Sequence, residues 1–228
     1  MSPSPLTATD PPAKNLSEQV YLDLKKRILN LDLKPKTLIK EVDLSQKYDV
    51  SRTPAREAIK KLKEESYIAF EPGLGNIVAP FTTRNYTEIY QMREALEVLS
   101  VKQATINWSP QDLEALKENV HIQNTLLTSD YEPLKFLYLD REFHVLLAEA
   151  SQNSFLVTEV GEFYDLFYRY NYYCNFKQRQ LFAITEHEKL LKALEARDAY
   201  TAAQEMRTHM QNINSLILIA LSEDGSVS

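Results

Sequence analysis

Cysteine occurs once in the 228 residues, as Cys174, so no disulfide can form within the chain. Neither a signal-peptide pattern nor an apolar run of membrane-spanning length is present, and a reducing cytoplasm with no membrane association is the expected setting. Internal repeats and low-complexity tracts are missing as well. The chain also lacks an excess of positive charge. Its 26 Lys+Arg against 32 Asp+Glu give a formal net charge of −6, which argues at first sight against a nucleic-acid partner. The deficit is uneven, however: residues 1–80 hold 13 Lys+Arg against 11 Asp+Glu, and the remainder holds 13 against 21. Only the first part can favour DNA, through local placement of Arg52, Arg56, Lys60, Lys61 and Lys63.

With 44% apolar residues, the chain can bury two modest cores, one in a domain of roughly 65 residues and one of roughly 140. Residues 1–15, rich in Pro, Ser and Thr, and the polar residues 223–228 are expected to be disordered tails. The expected fold class is mainly α: a winged helix-turn-helix domain over 16–80, then an all-α antiparallel helical bundle over 81–222.

The stretch from Lys40 to Leu62, KEVDLSQKYDVSRTPAREAIKKL, carries the first motif. Val42, Leu44 and Tyr48 give one short helix an apolar face, Val50 packs into a turn, and Ala55, Ala58, Ile59 and Leu62 repeat at helical spacing in a second. Ser51 suits the N-cap of that second helix, and Pro54 falls in its first turn, where a missing N–H costs nothing. Ser51, Arg52, Thr53 and Arg56 then point away from the apolar face, as a recognition helix presents its N-terminal residues to a major groove. An ordinary surface helical hairpin is the plainer reading, and the flanks argue against it. Leu16, Val20, Leu24, Ile28 and Leu31 form a helical stripe ending before Lys34-Pro35. Tyr67–Phe70 and Ile77–Ala79 read as strands joined by Glu71–Asn76, whose glycines can supply positive φ, so a β-hairpin wing follows.

In LKPKTLIKEVDLSQKYDVSRTPAREAIKKL, followed by a wing ending GNIVAP, the chain resembles the GntR family of bacterial transcription regulators. The SRTPxREA run at Ser51–Ala58 is the specific part. The chain has Lys36 and Asp49 where the family usually has Gly, and Leu74 where a basic residue often precedes the wing glycine. The resemblance implies contact with double-stranded DNA through Ser51, Arg52, Thr53, Arg56, Lys60 and Gly75, with a homodimer on a pseudo-palindromic operator.

From Thr83 the periodicity predicts helices over Thr83–Asn107, Pro110–Thr128, Glu132–Ser151, Ser154–Phe176, Lys177–Ala196 and Asp198–Leu221. Asp112 and Asp198 are expected in first turns, where carboxylates complement the helix dipole. Four ionisable residues fall on faces that should be buried. Asp140 and His144 are four apart among Phe136, Leu137 and Leu147. His187 lies in line with Ile184, Leu191 and Leu194, and His209 with Ala202, Met206, Ile213 and Leu216. Any one of these histidines, taken singly, reads as a hydrogen-bonded core residue. One carboxylate and three imidazoles on three apolar faces are better satisfied together by a divalent metal, zinc first, with nickel or manganese as alternatives. The aromatic stretch Phe163–Phe176 reads as core or dimer packing. The single ExxH pair, Glu118 and His121, is too little for a di-iron bundle, which needs that pair twice.

The pattern also resembles the FCD ligand-binding domain of the FadR-type branch, in Arg93 with Leu96-Glu97, DREFH at Asp140–His144, Ser151-Gln152-Asn153, EHEKLLKAL at Glu186–Leu194 and MRTH at Met206–His209. That resemblance implies Asp140, His144, His187 and His209 as metal ligands. It also implies a cavity for a small carboxylate effector, with Arg93 as an apt partner. For Arg93 a helix-surface or interface ion pair with Glu97 is the alternative, and for Asn153, a helix cap. The expected function is a DNA-binding regulator, by family default a repressor, with no catalysis. A metalloenzyme acting on a small organic acid is the rival, and a purely structural metal site the third reading.

Overall fold

The computed structural model describes residues 15–128, 132–174 and 177–223. The expected tails lie outside these residues, apart from Asn15 and Glu223. The chain divides into two compact units, Met1–Phe81 and Thr82–Ser228. Nine helices and one two-stranded sheet are present among the described residues.

The first unit holds α1 (Leu16–Leu29), α2 (Glu41–Lys47), α3 (Arg52–Glu64), β1 (Ile68–Glu71) and β2 (Gly75–Val78). Asn15 caps α1 by accepting from the Glu18 N–H at 2.9 Å. Helix α3 packs on both α1 and α2. Its Ala55, Ala58, Ile59 and Leu62 are buried, as are Val20, Leu24 and Ile28 of α1, because each set recurs at helical spacing on one face. Two details of the stripe differ from expectation. Leu31 falls beyond the end of α1 in a left-handed conformation, φ 59°, and Leu16 is exposed. Val42 is likewise exposed, which leaves Leu44 as the buried residue of α2. Ser51 occupies the N-cap position of α3, yet its side chain makes no capping hydrogen bond.

The wing strands pair antiparallel, from Ile68 opposite Val78 to Glu71 opposite Gly75. The connection is therefore only Pro72–Leu74, shorter than the expected Glu71–Asn76, because Glu71, Gly75 and Asn76 join the ladder. Gly73 and Gly75 carry φ of 83° and 101°, which the short turn demands. Lys36 and Asp49 also sit at positive φ, 66° and 50°. These two backbone sites keep the conformation that a glycine would adopt without strain.

The second unit is a helical bundle of α4 (Thr83–Asn107), α5 (Pro110–Thr128), α6 (Pro133–Ala150), α7 (Ser154–Cys174), α8 (Lys177–Glu195) and α9 (Ala199–Glu223). These bounds follow the expected segments closely. Residues 175 and 176 of the expected fourth segment lie outside the described residues. Asp198 precedes α9 and accepts from the Thr201 N–H at 2.9 Å, so it acts as a cap ahead of the first turn. Asp112 closes a similar turn with the Ser109 N–H at 2.8 Å. Helix α4 packs on α6, α7, α8 and α9, which makes it the central element. Val101, Leu116, Phe143, Leu147, Leu190 and Met206 fill a continuous core. No described helix is long and apolar enough to cross a membrane.

Candidate functional site

Ser51, Arg52 and Thr53 are exposed at the start of α3, and Arg56 and Lys60 follow one and two turns later, also exposed. Arg56 is engaged within the unit. Its Nε and Nη2 each reach a Glu41 carboxylate oxygen on α2 at 3.1 Å, a two-pronged pair. The hydrogen bond from Arg56 holds the Glu41 carboxyl below its usual range. Lys60 lies 3.7 Å from Glu64 on the same helix. Gly75 opens the second wing strand, beside exposed Leu74.

In the bundle, α6 contributes Asp140 and His144 one turn apart, α8 contributes His187 and α9 His209, and all four are buried. The three histidines each offer a ring nitrogen within 4.8 Å of the others. Asp140 joins them through His187, whose Nε2 lies 3.5 Å from Asp140 Oδ1. The other Asp140 oxygen accepts the Tyr164 hydroxyl of α7. Burial first, and then the Asp140 charge, push that phenol well above its ordinary value, so it remains a donor.

Each imidazole is gripped from behind at Nδ1. His187 Nδ1 lies 3.1 Å from Gln123 Oε1, His209 Nδ1 lies 2.8 Å from Glu186 Oε2, and His144 Nδ1 contacts Glu97 Oε2. The Gln123 amide is itself oriented, since its Nε2 donates to Asn119 Oδ1 at 2.7 Å and to the Leu139 carbonyl. At His187 and His209 such hydrogen-bond partners favour the tautomer with the proton on Nδ1, which leaves Nε2 bare. Burial, then the neighbouring imidazoles and Arg179, push His187 well below its usual range. His209 is lowered too, by burial ahead of the opposing pull of Glu186. Asp140 Oδ1 and His187 Nε2 make no hydrogen bond. Buried polar atoms left this way, on an imidazole beside a carboxylate, fit the donor set of a divalent metal.

Beside the cluster lies a pocket lined by Arg93, Asp140, Asn171, Arg179, Gln180 and His209 among others, with an empty volume of about 340 Å³ including the part open to solvent. Arg93 does pair with Glu97, through Nε at 2.8 Å and Nη2 at 2.6 Å. The pair is interior, with both residues 2% exposed, so the surface version of that alternative does not hold. The guanidinium carbon lies 3.9 Å from the Phe167 ring centre and 4.4 Å from that of Tyr164. Burial raises the Glu97 carboxyl, but Arg93 and His144 outweigh it and hold it down at about 2. Asn153 caps α7, accepting from the Phe155 and Leu156 N–H groups, and does not line this pocket.

The family model for bacterial regulatory proteins of the gntR family matches residues 16–78, and that for the FCD domain matches residues 88–212. The chain belongs to the gntR family and carries an FCD domain. It is a DNA-binding transcriptional regulator and not an enzyme. The HTH-type regulator YdhC of Bacillus subtilis is 26% identical over 85% of this chain and 87% of its own. The HTH-type transcriptional repressor RspR of Escherichia coli is 24% identical over 90% of each chain. Among solved structures, E. coli McbR/YncC superposes with a TM-score of 0.72 at 24% identity, over 89% of this chain and 97% of that one. A GntR regulator from Rhodococcus gives 0.74 at 22%, over 90% and 98%. These superpositions show the shared fold.

Within this FCD domain, sequence reasoning missed Gln123, Tyr164 and Arg179, and it gave Glu97 and Glu186 no role behind a histidine. A signal was present for Gln123, which with Asn119 forms a polar pair four apart on the buried side of α5. Arg179 has no such signal, because what defines it is a contact across to Glu186 and the His209 carbonyl.

Proposed function

We propose that this gntR-family regulator is a cytoplasmic, homodimeric repressor whose bundle holds one divalent metal and releases a pseudo-palindromic operator on binding a small carboxylate. The supporting observation is the buried cluster of three histidines, each fixed at Nδ1 by its own partner and facing its neighbours. Asp140, His144, His187 and His209 would hold the metal, zinc first, with nickel or manganese as alternatives. When bound, the ion supplies positive charge and Lewis acidity for a carboxylate oxygen. Arg93 presents Nη1, which has no protein acceptor, on the wall of the same pocket. Asn153 serves this function only as the α7 cap.

On the DNA side, residues 16–80 form the reading domain, and residues 81–222 the metal, effector and dimerisation domain. Arg52 and Thr53 open the recognition helix toward base edges, while Ser51, Arg56, Lys60 and the Gly75 backbone meet phosphates. A single short helix reads few bases, so two-fold pairing doubles the site. Elemental analysis of the purified protein, combined with operator binding before and after removal of the metal and any co-purified acid, tests the reading. One bound metal per chain and acid-sensitive DNA affinity are expected. Metal content near zero after incubation with zinc, nickel or manganese sinks it.

A further inference from the structure

Helix α4 offers apolar residues on two faces. On one, Val98, Val101 and Ala104 enter the bundle core. On the other, Met92, Leu99 and Ile106 are 45%, 43% and 70% exposed, and they stand seven residues apart with exposed Ala95 between the first two. Single apolar residues at a surface are ordinary. A seven-residue repeat is different, because it drifts only about 20° per heptad and so keeps all three side chains on one face over about 21 Å of helix. Such a stripe is the seam along which two helices pair. Beside it runs a groove between α4 and α9, lined by Glu94, Ala95, Leu99, Lys102 and Arg207 among others, with an empty volume of about 730 Å³ including the part open to solvent. The groove can receive the side chains of a second helix.

The order of residues along the stripe identifies that helix. Met92 lies seven residues before Leu99 and Ile106 seven after it, so an antiparallel copy of α4 crossing at Leu99 sets Leu99 on Leu99 and each Met92 on the Ile106 of the other chain. Charge agrees with this direction. Glu94, whose carboxylate accepts the Tyr90 hydroxyl, comes within two residues of Lys102 of the other copy, about 3 Å along the axis. A parallel copy would place Lys102 on Lys102 and Glu94 on Glu94, which like-charge repulsion disfavours. An axis through Leu99 perpendicular to the helix therefore makes this surface its own complement, as a two-fold dimer requires.

We propose that the exposed face of α4 is the dimer interface of this chain, with two copies antiparallel and crossing at Leu99. The proposal rests on the homodimer reading above and assigns its surface. Contact among Met92, Leu99 and Ile106 supplies the attraction, and two Glu94–Lys102 pairs, one on each side of the axis, set direction and register.

The tests use the full chain. Sedimentation equilibrium should show Leu99→Arg weakening the dimer about hundredfold or more, since the substitution faces itself across the axis and counts twice. Circular dichroism should show wild-type helix content in that variant. Charge reversal gives a readout that misfolding cannot imitate: Glu94→Lys and Lys102→Glu should each weaken the dimer about tenfold, and the two together should restore it. Crosslinking with a short bismaleimide in a Cys174→Ser background reads the direction. Leu99→Cys chains should join to one another, and Met92→Cys chains to Ile106→Cys chains when the two are mixed, but Met92→Cys chains should not join to themselves. A wild-type chain that sediments at 26.4 kDa refutes the homodimer reading and this surface with it. A wild-type dimer that Leu99→Arg leaves intact keeps the homodimer, overturns the surface and gives the stripe to another protein. Charge reversals that do not restore one another, or Met92→Cys chains that join to themselves, overturn the antiparallel crossing.

Discussion

The two units use charge in opposite ways. In the winged unit Arg52, Arg56 and Lys60 lie exposed at the start and along one side of α3, where a polyanion can reach them and each counts through its net charge. In the bundle Arg93, Arg179, Glu97 and Asp140 are at most 6% exposed, and each is matched to an opposite charge or a hydrogen-bond partner. On the proposed function, the difference follows from the size of what must be recognised. A duplex presents a charged surface too large to enclose, and salt screens the contact, whereas a small anion can be enclosed, and then every unmatched charge is costly. The winged unit therefore tolerates loss of one charge with a graded loss of affinity. The bundle is expected to respond to a single change with loss of a whole site.

The largest effect is expected at the enclosed site. His187→Ala or His209→Ala should abolish metal binding and remove the stabilisation that a chelator removes from wild type. That stabilisation is about 4 kcal/mol when free metal exceeds its dissociation constant a thousandfold. Differential scanning calorimetry of wild type and variants, with and without chelator, reads it. The comparison breaks if the variants keep a chelator-sensitive transition. Arg52→Ala should cost about 1–3 kcal/mol per half-site with no change in melting behaviour. Wild-type affinity and salt dependence in fluorescence anisotropy would remove Arg52 from the interface.

Acidity should separate the units next. His187 and His209 have folded values below the ordinary imidazole value, so the unfolded chain binds more protons at low pH. The stability they contribute is complete above about pH 6.5 and falls as the pH drops below it, by up to about 1.4 kcal/mol per pH unit for each histidine. Metal-free protein melted between pH 7.5 and 5.5 should lose the bundle transition first. A bundle transition that does not move over that range contradicts the buried neutral state.

Much of the fold is legible in sequence because helical spacing is a local property. The 3.6-residue repeat and the breaks near Pro110, Pro133 and Ser154 place the helix ends within a residue or two. The wing was less legible. Gly75 and Asn76 look like turn residues, yet they pair with Glu71 and Phe70, since backbone pairing does not depend on side-chain polarity. At the site, Asp140 and His144 are readable as a pair because one turn separates them. Tyr164 meets Asp140, and Glu186 meets His209, only through the packing of separate helices, and no local spacing records that. Arg93 and Glu97 lie between these cases: four-residue spacing announces their pairing but is silent on its burial.

Two smaller effects sharpen the exposed side. Glu41→Gln removes the carboxylate that fixes Arg56, so affinity for random DNA should rise and the preference for the operator should fall, each by about threefold, the scale of an exposed ion pair. Competition between operator and random duplex measures both, and an unchanged ratio shows that the pair does not aim Arg56. Lys36→Gly should stabilise the winged unit by about 0.5–1 kcal/mol, since φ 66° strains any residue with a Cβ. Urea unfolding followed through the winged unit tests this, and a lower midpoint would mean that the Lys36 side chain outweighs its backbone strain.

One oxygen of Glu186 serves two masters. Its Oε2 accepts from Arg179 at 2.5 Å and faces His209 Nδ1 at 2.8 Å, so the same atom touches the wall that would meet the acid and the imidazole that would meet the metal. On the proposed function the two occupancies then close a thermodynamic cycle: whatever factor the metal adds to the affinity for the acid, the acid adds to the affinity for the metal. The regulator would respond to the product of two concentrations, staying on its operator when either is scarce. In the cell, metal starvation would then look like absence of the acid.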